Sequence, residues 1–272
     1  MPVSRAQFLK SLGGSVAGLV TGTGLAVAAQ ALARRVALPR EARPAPVPAE
    51  TPILPILPFI TCGSSEANWV AITFDDGPTP GVTERVLDEL KERGLHATFF
   101  MIGKHAAAAP ELVQRVLAEG HEIGNHTFNH LKLNLLPERQ VDWEIQKTQE
   151  TLAGILNDPP VWLRPPYGAF RKNQTALLAA RQMGVALWSV DPRDWAQPGE
   201  AVIVDSILTQ VKPGSIIVCH DLYRQTADCL GQVLDGLLAK NFEFTTVSTL
   251  VGQPSASAGQ ASLPDSLITP SS

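Results

Sequence analysis

The residues of this sequence with chemical potential fall into five short groups: Asp75-Asp76, His126 with His130, Arg164, Asp191 with Asp194, and His220-Asp221. His126-Thr127-Phe128-Asn129-His130 is an H-x-x-x-H pair. If that stretch is helical, residues four apart share one face at about 5–6 Å, close enough to hold one metal ion. A carboxylate from another element completes a His₂-Asp set. Three protein ligands with an open fourth position is the pattern of a catalytic zinc site, whereas structural sites are closed by four. Asp76 is the natural third ligand, and Asp75, pointing elsewhere, is left to act beside the water. An acidic pair at a turn is by default a solvated cap. Here a buried β-run precedes it and Gly77-Pro78 enforces a tight bend, which favours display at a rim. Arg164, between Leu163 and two prolines, reads as an inward guanidinium paired with a carboxylate. Trp195 reads equally as a core aromatic or a pocket wall. His220 ends a run of Ile, Val and Cys and by residue type alone reads as a core histidine, as do His96, His105 and His121 as structural residues.

Each group directly follows an apolar run, so the elements that position them can be read from the same pattern. Strands are predicted at 69–74, 97–102, 121–124, 185–190, 215–219 and 244–247, with helices at 82–93, 110–119, 138–156, 172–183, 200–211 and 226–240. Such alternation implies parallel strands with helices outside, as an open sheet or a barrel. In either architecture the carboxyl ends of the strands converge on one rim, where sites form. No G-x-G-x-x-G or G-x-x-x-x-G-K-[ST] loop signals a nucleotide fold, and no G-x-S-x-G elbow signals a serine nucleophile.

The 272 residues carry a net charge of −4, with 44% hydrophobic and 18% charged side chains. That is ample chain for a buried core and excludes wholesale disorder or a disulfide-stapled miniature. Without a block of Lys and Arg, a nucleic-acid partner is not expected. Residues 1–33 have Arg5 and Lys10, a run free of charge from Ser11 to Ala33, and Ala31-Leu32-Ala33 at its end. This is the layout of an export signal, or of an uncleaved membrane anchor through 11–33. Ser4-Arg5-Ala6-Gln7-Phe8-Leu9-Lys10 is similar to a twin-arginine signal, with Ala6 where the second arginine belongs. The chain thus divides into an export or anchor segment 1–33, a Pro-rich spacer 34–65, one folded domain 66–252 and a Ser/Pro/Ala-rich tail 253–272 expected to be disordered. Cys62, Cys219 and Cys229 contain no C-x-x-C pair, and in an oxidising compartment two of them could join.

Taken in order, Thr73-Phe74-Asp75-Asp76-Gly77, His126-Thr127-x-x-His130, Arg164-Pro165-Pro166-Tyr167, Asp191-x-x-Asp194-Trp195 and Val218-Cys219-His220 resemble the five motifs of the NodB-homology polysaccharide deacetylases, carbohydrate esterase family 4. One departure is Val218, where the family usually has Leu. The resemblance implies an α/β fold, a deformed (β/α) barrel of fewer than eight complete units in a single catalytic domain. It implies hydrolysis of N-acetyl groups from a glycan built on N-acetylglucosamine, peptidoglycan or chitooligosaccharide. Position by position, it implies Asp76, His126 and His130 as ligands of one divalent ion, zinc first and cobalt as a substitute. Asp75 becomes the general base, oriented by Arg164, and His220 the general acid, partnered by Asp194. The backbone N–H of Tyr167 becomes an oxyanion donor, while Trp195, Val218 and Pro166 contact the substrate. Rival expectations are an O-acetyl esterase acting on a xylan-like polysaccharide, and a non-catalytic glycan-binding wall protein. An exported enzyme on a spacer sits beside the wall, in the periplasm or outside the cell, which favours peptidoglycan.

Overall fold

Trp69–Asp75 is a run of β-branched and aromatic residues whose side chains alternate between two buried faces, and it forms the central strand of the molecule. The computed structural model describes residues 59–156 and 158–252. Along the chain the elements are β1 (Phe59–Ile60), β2 (Trp69–Asp75), α1 (Thr83–Glu92), β3 (Thr98–Met101), α2 (Gly103–Ala108), α3 (Pro110–Ala118), β4 (Glu122–Asn125) and α4 (Glu138–Leu156). There follow β5 (Trp162–Leu163), α5 (Thr175–Ala179), β6 (Gly184–Ala186), α6 (Glu200–Gln210), β7 (Ile216–His220), α7 (Arg224–Ala239), β8 (Glu243–Phe244) and α8 (Val247–Gly252).

All strands run parallel, in the order β1-β6-β5-β4-β3-β2-β7, with β8 against β2. The sheet curls into a half-barrel with helices around it. Because β1, β5 and β8 are two residues long, fewer than eight units are complete, as expected. Beyond β6 a lone bridge from Val190 to Ile217 brings the chain back to β7.

Period-two alternation along β2 sends Ile72 and Phe74 outward into a cluster with Val86, Leu87 and Leu90 of α1 and Leu230 and Val233 of α7. Ala71 lies with Phe100, Trp162, Val247 and Leu250 in a separate inner cluster. Each fully buried side chain of this kind contributes roughly 1.5–3 kcal/mol. Asp75 thereby shares the inner face and sits in register with His220 of β7. Gly94, at φ 63, closes α1: Leu95 N–H returns to Leu90 O at 3.0 Å and Gly94 N–H to Lys91 O at 3.1 Å.

Several expectations need correction. The sheet begins at Phe59, inside the range 34–65 assigned to the spacer, because Phe59 and Ile60 pair with Val185 and Ala186. The strand predicted over 185–190 stops at Ala186, where the carbonyls of Ala186 and Leu187 turn to accept Arg164. The helix predicted over 172–183 is a 3₁₀ turn followed by the short α5, ended before Gln182 at φ 54. The last predicted strand, 244–247, is cut to Glu243–Phe244, and Val247 instead opens α8, which buries Val247 and Leu250 under the sheet. The short α2 was not foreseen; Pro110 ends it, since the residue before proline is pushed out of the helical region and Ala109 has φ −136 and ψ 60. All three cysteine thiols are free. The segment 1–33 and the tail 253–272 lie outside the described residues. Among the described residues no helix is long and apolar enough to cross a membrane.

Candidate active site

Asp75 is the last residue of β2, and Asp76 follows it at φ 77. A left-handed backbone is tolerated by Asp better than by most residues, and it turns the two neighbouring carboxylates apart. The next residue must be glycine, since a Cβ at position 77 would collide with the Asp221 carboxylate. His105 holds the turn from the other side, its Nδ1 2.7 Å from the Asp76 carbonyl oxygen. Sequence reasoning assigned His105 no role, and no motif marks it.

Asp75 Oδ1 accepts Arg164 Nη1 at 2.7 Å. Arg164 is fully buried and spends its remaining donors on Thr73 Oγ1 at 2.6 Å and the carbonyls of Ala186 and Leu187, both at 2.9 Å. Its guanidinium lies 4.0 Å over the Phe100 ring. Burial disfavours the charge on Arg164, and the facing Asp75 opposes that. The arginine expected to reach inward toward a carboxylate does so.

His126 and His130 converge with Asp76, but not through a helix. The segment after β4 is a loop in which Thr127 and His130 take φ 66 and φ 59, and Glu144 of α4 bonds its backbone. The H-x-x-x-H spacing was therefore informative for a different geometric reason than a shared helix face. His126 Nδ1 is 2.7 Å from the Arg164 carbonyl oxygen. A carbonyl oxygen can only accept, so Nδ1 carries a proton and Nε2 is the nitrogen that faces Asp76. Asp76 Oδ1 lies 3.5 Å from His126 Nε2 and 3.1 Å from His130 Nε2, yet it makes no hydrogen bond although buried. All three donor atoms fall within 4.8 Å of one another. Tetrahedral zinc with bonds near 2.0–2.2 Å sets its ligands about 3.3–3.5 Å apart. A buried, unbonded carboxylate oxygen facing two imidazole nitrogens at 3.1 and 3.5 Å, close to that spacing, fits one divalent cation. Burial and the neighbouring His126 hold His130 down to about 4. Burial opposes the charge on Asp76, but the imidazoles around it prevail and hold it at about 2. Both shifts favour the deprotonated forms that ligands need.

Across the site, Asp194 is buried with every carboxylate contact satisfied. Oδ1 meets His220 Nδ1 at 2.7 Å, while Oδ2 accepts His220 N–H at 2.8 Å and Thr226 Oγ1 at 2.7 Å. Burial works against a charged imidazole, but the hydrogen bond and charge of Asp194, helped by Asp75 and Asp76, lift His220 to about 9. His220 is therefore no mere core histidine.

A cavity of about 520 Å³ opens between these groups, with Asp75, Asp76, His126, His130 and His220 on its walls. Tyr167, Trp195 and Val218 line it too, so Trp195 is a pocket wall. Tyr167 sits at φ 60, its ring 4.8 Å from that of His130. Pro166, expected to contact substrate, is buried and does not line the cavity; its carbonyl instead closes the turn to Ala169 N–H at 3.0 Å. Asp191, singled out by its strand-end position, lines the cavity as well. Trp188, Leu222 and Tyr223 complete the walls and were missed, because nothing in their spacing distinguishes them from core residues.

A curled parallel sheet with an Asp-His-His cluster at its carboxyl rim and two buried ion pairs behind it defines a class, and the comparisons agree. The family model for polysaccharide deacetylase matches residues 63–188, and the chain belongs to that family. It is 39% identical over 181 residues to the peptidoglycan-N-acetylmuramic acid deacetylase PdaC of Bacillus subtilis (strain 168), covering 66% of this chain and 38% of that protein. It is 41% identical over 153 residues to a chitooligosaccharide deacetylase of Sinorhizobium fredii (strain NBRC 101917 / NGR234), covering 56% and 71%. The solved structure of PdaC superposes with a TM-score of 0.65 at 37% identity, covering 69% of this chain and 91% of that one. The chain spans about two fifths of the length of the peptidoglycan deacetylase it matches. Asp194 and His220 fall beyond the span of the family model.

Proposed function

We propose that this chain is a metal-dependent N-deacetylase that removes acetyl groups from an N-acetylglucosamine-containing glycan, peptidoglycan or chitooligosaccharide, and releases acetate. The observation that carries this reading is the pairing Asp75–Arg164 on one wall of the cavity and His220–Asp194 on the other, with Asp76, His126 and His130 between them.

Asp76, His126 and His130 would hold the ion, and the mixed nitrogen and oxygen donor set suits zinc, with cobalt as a substitute. A bound divalent ion polarises an acyl carbonyl and lowers the pKa of a water toward neutrality. The rest falls to the protein. Arg164 occupies Asp75 Oδ1 and leaves Oδ2 to take a proton as the water oxygen attacks the acetyl carbon. The backbone N–H of Tyr167 donates to the developing oxyanion, worth about 3–4 kcal/mol for one such donor. As the C–N bond breaks, His220, its Nδ1 held by Asp194, delivers the Nε2 proton to the departing amine. The amine is too basic to leave unprotonated, which is why a histidine raised to about 9 suits the task. Trp195 and Val218 bound the space for the acetyl methyl group. The positive start, apolar run and Ala31-Leu32-Ala33 of the chain support action outside the cytoplasm, secreted or anchored beside the wall.

The test is acetate release from chitooligosaccharide, peptidoglycan and acetylated xylan, with and without chelator. Chelator-sensitive release from the first two supports the reading. Release from xylan alone makes the protein an ester hydrolase, and no release from any of them overturns catalysis.

A further inference from the structure

We propose that Glu144 is a positioning residue for the metal site: its carboxylate fixes the loop between His126 and His130 and so sets how tightly they hold a divalent ion. The inference rests on the metal-site reading above and concerns a residue outside every sequence motif.

Glu144 is fully buried on α4 and forms no ion pair among the described residues. A buried carboxylate without a counter-ion is strongly disfavoured unless hydrogen bonds satisfy it. Three do, and all come from the five-residue stretch that starts and ends with the histidines. Oε2 accepts Phe128 N–H at 2.9 Å and Asn129 N–H at 2.8 Å, and Oε1 accepts Asn129 Nδ2 at 2.8 Å. Other partners hold the loop's remaining N–H groups and two of its carbonyls. His126 N–H goes to Met101 O, Thr127 N–H to Asn125 Oδ1, and His130 N–H to Thr127 Oγ1. Gly103 and Lys104 cap the Thr127 and Phe128 carbonyls.

This dense bracing matters because the loop is strained. Thr127 is β-branched yet sits at φ 66, and His130 at φ 59. Such conformations are strained for these residue types and persist only where the surroundings over-determine them. Glu144 is the anchor for the two central N–H groups of that loop. Released from it, the loop can relax to ordinary backbone angles, swinging His130 away from Asp76. Partners behind metal ligands commonly affect affinity by about 10–100-fold when lost.

The test is zinc titration of the metal-stripped full chain against a chromophoric chelator, with thermal melts of the metal-free protein alongside. Glu144→Gln puts an amide where one acceptor oxygen stood, so an NH₂ group faces donors whichever way it turns. Its zinc affinity should fall by about 10–100-fold. Asn129→Asp alone sets two carboxylates together and should fall likewise. Combined, Glu144→Gln with Asn129→Asp restores complementarity: the glutamine oxygen takes both backbone N–H groups and its NH₂ donates to the new carboxylate. The pair should regain most of the lost affinity, which a general loss of stability would not produce. Unchanged affinity in Glu144→Gln, or a double variant no better than the worse single one, overturns the inference. If Glu144→Gln fails to fold, Asn129→Asp and the double variant decide by the same criterion. A wild-type chain that binds no zinc sinks the metal reading itself, whereas equal binding by wild type and variant sinks only this step.

Discussion

The backbone carbonyl of Arg164 accepts the Nδ1 proton of His126 at 2.7 Å, while the guanidinium of the same residue grips Asp75 at 2.7 Å. One residue thus aims His126, a proposed metal ligand, with its main chain and Asp75, the proposed base, with its side chain. The two jobs can be separated by substitution, because only the second depends on which side chain is present.

Arg164→Met keeps the carbonyl and deletes the fork. It leaves the buried Asp75 carboxylate unpaired, and breaking a buried pair costs about 3–5 kcal/mol. Urea unfolding should show that loss, acetate release should collapse, and zinc stoichiometry should remain at the wild-type level. Loss of zinc together with activity would contradict the division between main chain and side chain.

Asp75→Asn preserves shape and removes the proton acceptor. Zinc content should be unchanged while turnover drops by about 10²–10⁴-fold, the usual worth of a positioned acid or base. Deacetylation at the wild-type rate would mean that another group takes the proton.

His220 should reveal itself in pH profiles. Its folded-state pKa of about 9 lies above the ordinary 6.5. The stabilisation from its pair with Asp194 is therefore complete below about 6.5 and is lost as pH rises through about 9. The alkaline limb of kcat/KM should fall near 9 in the wild type. In Asp194→Asn it should move down toward 6.5, because the acceptor that favours the charged ring is gone. A limb that stays in place would remove His220 from the role of acid.

Chelation should abolish acetate release from the wild type, with recovery on adding zinc or cobalt. His126→Ala should lose both the metal and the activity, and added zinc should not restore it. Elemental analysis of the purified proteins checks the first half directly; full activity in a metal-free preparation would refute the site.

What the sequence made legible was the set of polar residues at strand ends. Asp75, Asp76, His126, His130, Arg164, Asp194 and His220 stand out because an apolar run leads into each group. Five of them line the cavity, and Arg164 and Asp194 are buried behind it, bonded to Asp75 and His220. Their supports were illegible for a physical reason. Glu144 lies 14 residues past His130 on a long amphipathic helix where an acidic residue ordinarily faces water, and only the fold turns it inward. His105 bonds a backbone oxygen 29 positions away, a contact that leaves no trace in spacing. The strand break after Ala186 had the same cause: its carbonyls serve the Arg164 side chain rather than a neighbouring strand, so β-propensity alone carried the prediction too far.

Asp75 and His220 occupy the same rung of two adjacent parallel strands. The distance between the proposed base and the proposed acid is therefore a gauge cut into the sheet ladder. Deleting a single residue from β7 would flip its side chains to the opposite face and rotate the imidazole toward the helices. The proton delivery proposed for His220 would disappear, with Asp75 itself untouched.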